Sequence, residues 1–177
     1  MKYFLSLGSN VRNKKENLRR ALFLLKKEGA KILRASSLYK TQPVDFYCQP
    51  WFLNQVVEIE ADCSPHALLD LIKQIEEKMK RQPTVQNGPR RIDIDILLAE
   101  KTIIQTKKLI IPHPRMEIRN FVLVPLMEIA PEIMHPLLKE KIRDLWKKSQ
   151  DCSIVKRIQQ TTDYEWENSS KDKRQDY

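Results

Sequence analysis

Residues 92–97 read Ile-Asp-Ile-Asp-Ile-Leu, a two-residue alternation that fits a β-strand and breaks any helical stripe. Successive side chains of a strand point to opposite faces. Ile92, Ile94 and Ile96 therefore fill a buried face, while Asp93 and Asp95 share the other, roughly 7 Å apart along the backbone. Carboxylates placed this way can reach inward to share a pair of magnesium ions about 4 Å apart. Alternation alone equally describes a half-buried strand whose acidic face meets water, and taken by itself favours that plainer account. The neighbourhood shifts the balance. Gly88-Pro89 shapes an abrupt turn, and Arg90-Arg91, strong anion binders, stand directly before the acids. Cations beside a dicarboxylate are what metal–phosphate chemistry requires.

The rest of the chain supplies partners for this strand. Residues 2–9 read as a first strand ending at Gly8-Ser9-Asn10. Asn13 caps a helix running to Glu28, with Leu18, Ala21, Leu22 and Leu25 as its apolar stripe and Gly29 as its stop. Residues 30–39 suggest a second strand and 40–50 a long loop. Residues 52–59 alternate as a strand, with Glu58 and Glu60 expected to face solvent. Ser64-Pro65 starts a helix reaching about Arg81, with Leu68, Leu69, Leu71, Ile72, Ile75 and Met79 buried. After the loop 82–89 and the acidic strand, residues 101–111 suggest a short hairpin or extension. Residues 121–129 are apolar at helical spacing, and Pro125 is expected to bend them. A further amphipathic helix is expected over 138–148.

The order strand–helix–strand–strand–helix–strand predicts an α+β, ferredoxin-like sandwich: a central, mostly antiparallel sheet with helices packed on both sides. Residues 1–160 are expected to form a single domain and 161–177 a polar, mobile tail. That fold hosts many functions, so the site has to carry the functional argument.

A chain of 177 residues, 41% hydrophobic and 31% charged, can bury a real core. It contains nothing near the roughly 18 consecutive apolar residues of a membrane span. The N-terminal run is too short for a secretory signal. Cys48, Cys63 and Cys152 are odd in number and lack metal-ligand spacing, which points to reduced thiols in a cytoplasm and argues against zinc. A net charge of +9 calls for an anionic partner without choosing among nucleic acid, nucleotide and acidic surface.

Only Gly8, Gly29 and Gly88 are glycines, which excludes a Walker A loop, a dinucleotide fingerprint and a kinase glycine loop. Phosphates must then be held by side chains and metal. The candidate cations are Arg81, Arg90, Arg91, Lys107, Lys108, His113, Arg115 and Arg119, each of which alone would read as solvated surface. His113 is more pointed, because Pro112 and Pro114 stiffen its segment and set its direction. It can donate to a phosphate oxygen, or it can be a turn histidine bonded locally. Phe52 and Phe121 can stack on a flat ring whose edge Asn54 reads, or be ordinary core. Glu76 faces either a nucleotide or water. His66 and His135 offer no pattern.

Taken together, these motifs resemble the 6-hydroxymethyl-7,8-dihydropterin pyrophosphokinase family of folate biosynthesis. The matching residues are Leu5-Ser6-Leu7-Gly8-Ser9-Asn10, Gln49-Pro50-Trp51-Phe52-Leu53-Asn54, Gly88-Pro89-Arg90-Arg91-Ile92-Asp93-Ile94-Asp95-Ile96-Leu97 and Pro112-His113-Pro114-Arg115. Phe121-Val122-Leu123-Val124-Pro125-Leu126 and Glu128-Ile129-Ala130-Pro131 complete the set. The resemblance implies the ferredoxin-like fold and transfer of pyrophosphate from ATP, the co-substrate, to the pterin hydroxymethyl group, releasing AMP without a covalent intermediate. It implies two Mg²⁺ ions on Asp93 and Asp95, and catalytic roles for these acids with Arg81 and Arg90. Glu76, Arg90, Ile96, Lys108, Ile110, His113 and Arg119 would bind the nucleotide. Thr41, Val44, Phe52, Asn54, Asp93 and Phe121 would bind the pterin.

Lys80, Pro83 and Asp45 depart from the family's usual residues, and the loop 82–87 looks shortened. The loops that hold Asp45 and Pro83 are expected to close over substrate. The partners expected are the small molecules pterin and ATP, in a cytoplasmic monomer that engages neither nucleic acid nor membrane. Two other readings compete. A basic ferredoxin-like RNA-binding module explains the charge, but the aromatic ribonucleoprotein signature is absent and Asp93 and Asp95 would repel phosphate. A family member that has lost catalysis and serves as an interaction subunit would explain the altered loops.

Overall fold

The structure, a computed structural model, describes residues 1–44, 48–79 and 88–158. Its centre is β1 (Lys2–Ser9), flanked by β4 (Phe52–Glu60) on one side and β5 (Asp93–Ala99) on the other, both antiparallel to it. The outer edge of β4 carries β2 (Lys31–Ala35) and β3 (Tyr39–Thr41) end to end, and β8 (Val155–Arg157) adds to β3. Every pairing in this six-stranded sheet is antiparallel.

Alternation along the strands builds two cores. Tyr3, Leu5 and Leu7 of β1 pack with Leu18 and Leu25 of α1 (Lys14–Lys27) and with Leu68, Ile72 and Ile75 of α2 (Pro65–Lys78). Phe4, from the opposite face of β1, packs with Val56 and Leu97 against α3 (Asn120–Ile129) and α4 (Ile142–Lys148). Helices thus cover both faces of the sheet, and the fold is ferredoxin-like, as the element order predicts. The helix ends follow local chemistry. The Asn13 side chain accepts from the Glu16 amide, the Ser64 hydroxyl from the Ala67 amide, and Gly29, at φ 94°, ends the turn after α1.

The expected hairpin is present as β6 (Ile104–Gln105) and β7 (Ile110–Ile111). Three expectations need correction. The single strand expected over 30–39 is two strands, because Ser37 leaves the ladder: its amide and hydroxyl both donate to the Glu128 carboxylate of α3, at 2.9 and 2.8 Å. Glu58 does not face solvent. Its strand face is covered by the end of α3, so it is 6% exposed and paired with Arg34 Nε at 2.5 Å, while Arg34 also donates to the Ile129 carbonyl. The last helix starts at Ile142 rather than at residue 138, because Lys139 is left-handed (φ 56°) and the Leu138 amide donates to His135 Nδ1. α3 runs through Pro125 without interruption. Among the described residues no helix is long and apolar enough to cross a membrane. The expected tail over 161–177 lies outside the described residues.

Candidate active site

The face of the sheet that meets α3 changes character along its strands. At one end Phe4, Val56 and Leu97 are core; at the other the same face shows Ser6 and Gly8 on β1, Asn54 on β4, and Asp93 and Asp95 on β5. Register puts these side by side, with Gly8 opposite both Asn54 and Asp93 and Ser6 opposite Asp95. Small residues on the central strand leave a hollow between the amide and the acids. The resulting cavity, of about 260 Å³, is also lined by Thr41, Gln42, Val44, Phe52, Arg90, His113, Arg115, Arg119 and Phe121.

One end suits a flat ring. Phe52, at the start of β4, and Phe121, in the first turn of α3, both line it, with the Arg90 and Arg119 guanidinium groups 5.6 and 5.4 Å from the respective ring centres. Asn54 Nδ2 donates to Thr41 Oγ1 at 2.6 Å, which fixes the amide. A Cβ on Gly8 would lie 2.6 Å from Asn54 Oδ1, so only glycine lets the two strands present that amide as they do.

The other end concentrates charge. Arg90 Nη1 sits 3.0 Å from Asp93 Oδ2, and the backbone at Arg90 is held on both sides by Asn10, through Arg90 N to Asn10 Oδ1 at 2.8 Å and Asn10 N to Arg90 O at 3.2 Å. Asn10 Nδ2 donates in turn to Gln49 Oε1 and the Pro50 carbonyl, tying the two flanking loops together. Asp95 opens only partly onto the cavity. Burial, then the Asp93 and Glu76 charges, push its carboxyl from the ordinary 3.8 up to about 7, against the pull of Arg90 and Arg119. Burial, then Arg119 and Arg115, hold His113 below its ordinary 6.5, so at neutral pH it is a neutral imidazole. Its backbone amide donates to Leu97 O at 2.9 Å, which seats it beside the end of β5.

Asp93 and Asp95 fit a divalent cation in a limited sense. Among the described residues no group of three His, Cys, Asp or Glu could hold a metal, so the protein offers two carboxylates and other ligands must come from substrate and water. That is the usual arrangement for Mg²⁺ on a nucleotide polyphosphate. The raised Asp95 is a carboxylate whose charge lacks full compensation, which a cation would supply.

The cavity brings together Asp93, Asp95, Arg90, His113, Arg119, Thr41, Val44, Phe52, Asn54 and Phe121 from the expected set. Glu76 does not line it and does not face water. It is 7% exposed on α2, accepts from the Ile94 amide at 3.0 Å, and acts on Asp95 through its charge. Ile96 is a core residue, 4% exposed, while Lys108 and Ile110 are exposed on the β6–β7 hairpin; none of the three lines the cavity. Arg81 lies outside the described residues, as do Asp45, Lys80, Pro83 and the loop 82–87. Ser6 and Gln42 line the cavity without having been singled out. The alternation Leu5-Ser6-Leu7-Gly8, small residues on one face of a strand, is a signal for Ser6; Gln42 has none.

Fold and cavity define a ferredoxin-like domain with a site suited to metal and phosphate next to a flat ring. Comparison with known proteins narrows the class. The family model described as 7,8-dihydro-6-hydroxymethylpterin-pyrophosphokinase (HPPK) matches residues 4–131, and the chain belongs to that family. A Bacillus subtilis protein named 2-amino-4-hydroxy-6-hydroxymethyldihydropteridine pyrophosphokinase is 44% identical over 131 residues, covering 73% of this chain and 78% of its own. The Schizosaccharomyces pombe folic acid synthesis protein fol1 is 41% identical over 142 residues, 80% of this chain, which spans 19% of that longer protein. The solved structure described as HPPK-DHPS in complex with substrates has a TM-score of 0.65 at 20% identity, over 82% of this chain and 43% of that one. At that identity the likeness concerns the fold.

Proposed function

We propose that this protein transfers pyrophosphate from ATP to the hydroxymethyl group of 6-hydroxymethyl-7,8-dihydropterin, releasing AMP, with two Mg²⁺ ions on Asp93 and Asp95. The observation that carries this reading is that one cavity holds the acid pair and its cations next to Phe52, Phe121 and Asn54. Phe52 and Phe121 stack on the pterin, and the fixed Asn54 amide reads its edge. Arg90, Arg119 and the neutral His113 donate hydrogen bonds to phosphate oxygens, where charge grows during displacement at the β-phosphorus. Bound magnesium would neutralise further phosphate charge and keep the buried Asp95 ionised. The acceptor hydroxyl attacks directly, so no side chain forms a covalent intermediate.

An RNA-binding role is disfavoured by the two carboxylates in the middle of the cationic cavity, which would repel a phosphate backbone. The test is an assay for AMP from ATP with and without the pterin, with Mg²⁺ or with chelator. AMP formation that needs both pterin and Mg²⁺ supports the proposal. Pterin-dependent AMP formation in excess chelator would refute the metal mechanism, and none under any condition would refute the activity.

A further inference from the structure

Residues 132–158 lie beyond the family-matched stretch, 4–131, yet the last of them hold the cavity at two places. α3 begins at the cavity. Arg119 is its N-cap, Asn120 its first residue and Phe121 the next, and Arg119 contributes no capping side chain. The first turn of a helix leaves its amides without helical partners. Here a partner comes from 31 residues further along the chain. Asp151 Oδ2 accepts from the Asn120 amide at 2.6 Å, and the Asp151 carbonyl accepts from Asn120 Nδ2, also at 2.6 Å. The other carboxylate oxygen accepts from the Ser153 amide at 2.8 Å, so the carboxylate is fixed at both oxygens.

Three residues later the same segment grips a second part of the cavity. The Gln42 amide donates to the Ile154 carbonyl at 3.0 Å, the Ile154 amide reaches Gln42 Oε1 at 3.4 Å, and Val155 pairs with Thr41. Thr41, Gln42, Arg119 and Phe121 all line the cavity.

We propose that Asp151 is a positioning residue: by capping α3 from the C-terminal segment, it sets the Phe121 ring relative to Thr41 and Gln42 and so fixes the ring-binding end. This rests on the pyrophosphokinase reading. Asp151 touches no substrate; it acts through Asn120 and Phe121. Were it only an anchor for the C-terminal segment, its loss would lower stability throughout and leave pterin affinity alone.

The test compares the full chain with Asp151→Ala and Asp151→Asn, the latter keeping one acceptor oxygen. In Asp151→Ala the pterin KM is expected to rise roughly five- to tenfold, the scale of a lost helix cap, while kcat and the ATP KM stay within about twofold. Asp151→Asn should recover at least half of that change, and it keeps the test decisive if the alanine variant fails to fold. Amide hydrogen exchange should accelerate at residues 120–123 and not in α2. An unchanged pterin KM, or exchange that accelerates equally in every helix, would overturn the assignment. Absence of AMP formation by the wild type would refute the pyrophosphokinase reading instead, and the exchange pattern would still decide whether Asp151 holds the start of α3.

Discussion

Asp95→Asn should stabilise the metal-free protein while abolishing turnover. Unfolded, the Asp95 carboxyl titrates near its ordinary 3.8; folded, burial and the Asp93 and Glu76 charges move it to about 7. A folded-state value raised in this way means stability that is full below about pH 4 and lost as the pH climbs through 7. At roughly 1.4 kcal/mol per pH unit, the ceiling on that loss at pH 8 is about 4 kcal/mol. The carboxyl opens partly onto the cavity, where water screens it, so about 2 kcal/mol is the expected gain on substitution. Urea unfolding of both proteins in chelator, from pH 4 to pH 8, reads this directly. The two should agree near pH 4, with the variant pulling ahead toward pH 7 and then holding its lead. Mg²⁺ with a nucleotide should raise the stability of the wild type at pH 8 and leave the variant unmoved. A gap that does not vary with pH, or a variant less stable at pH 8, would refute the electrostatic account of this site.

Gly8→Ala places a Cβ 2.6 Å from Asn54 Oδ1, so the pterin KM should rise at least about tenfold, with overpacking lowering stability by about 1–3 kcal/mol in thermal melts. Arg34→Ala leaves Glu58 buried without its cation and should cost about 1–3 kcal/mol in denaturant titrations, less than a fully buried pair because Arg34 is half exposed. His113, held below its ordinary value, contributes stability above about pH 6.5 that is lost as the pH falls. A His113→Gln variant should therefore show a smaller drop in melting temperature between pH 7.5 and pH 5 than the wild type. Arg90→Ala should slow the single-turnover rate by at least tenfold, and an unchanged rate would demote Arg90 to a surface role.

How much of the site could be read in advance depended on distance along the chain. Asp93 and Asp95 are two residues apart, and the geometry of a strand places them on one face without reference to any other element; Arg90 precedes them by a few residues but is seated by Asn10, at the end of β1. Pro112-His113-Pro114 is likewise a local constraint. Glu76 could not be placed from local pattern, since its role follows from α2 lying where its carboxylate meets the Ile94 amide. Glu58 misled for the same reason. Alternation assigns it a face correctly, but whether that face meets water depends on α3, which arrives some sixty residues later.

The sequence by itself therefore determined most of the elements, the acid pair and the chemistry that pair can support, because periodicity, caps and turns act over a few residues. Tertiary structure alone decided which sheet face becomes a cavity. It set Gly8 opposite both Asn54 and Asp93, broke the strand at Ser36-Ser37 to meet Glu128, and brought Asp151 to the start of α3. Those outcomes rest on register and on contacts between distant segments, which no short window of residues encodes.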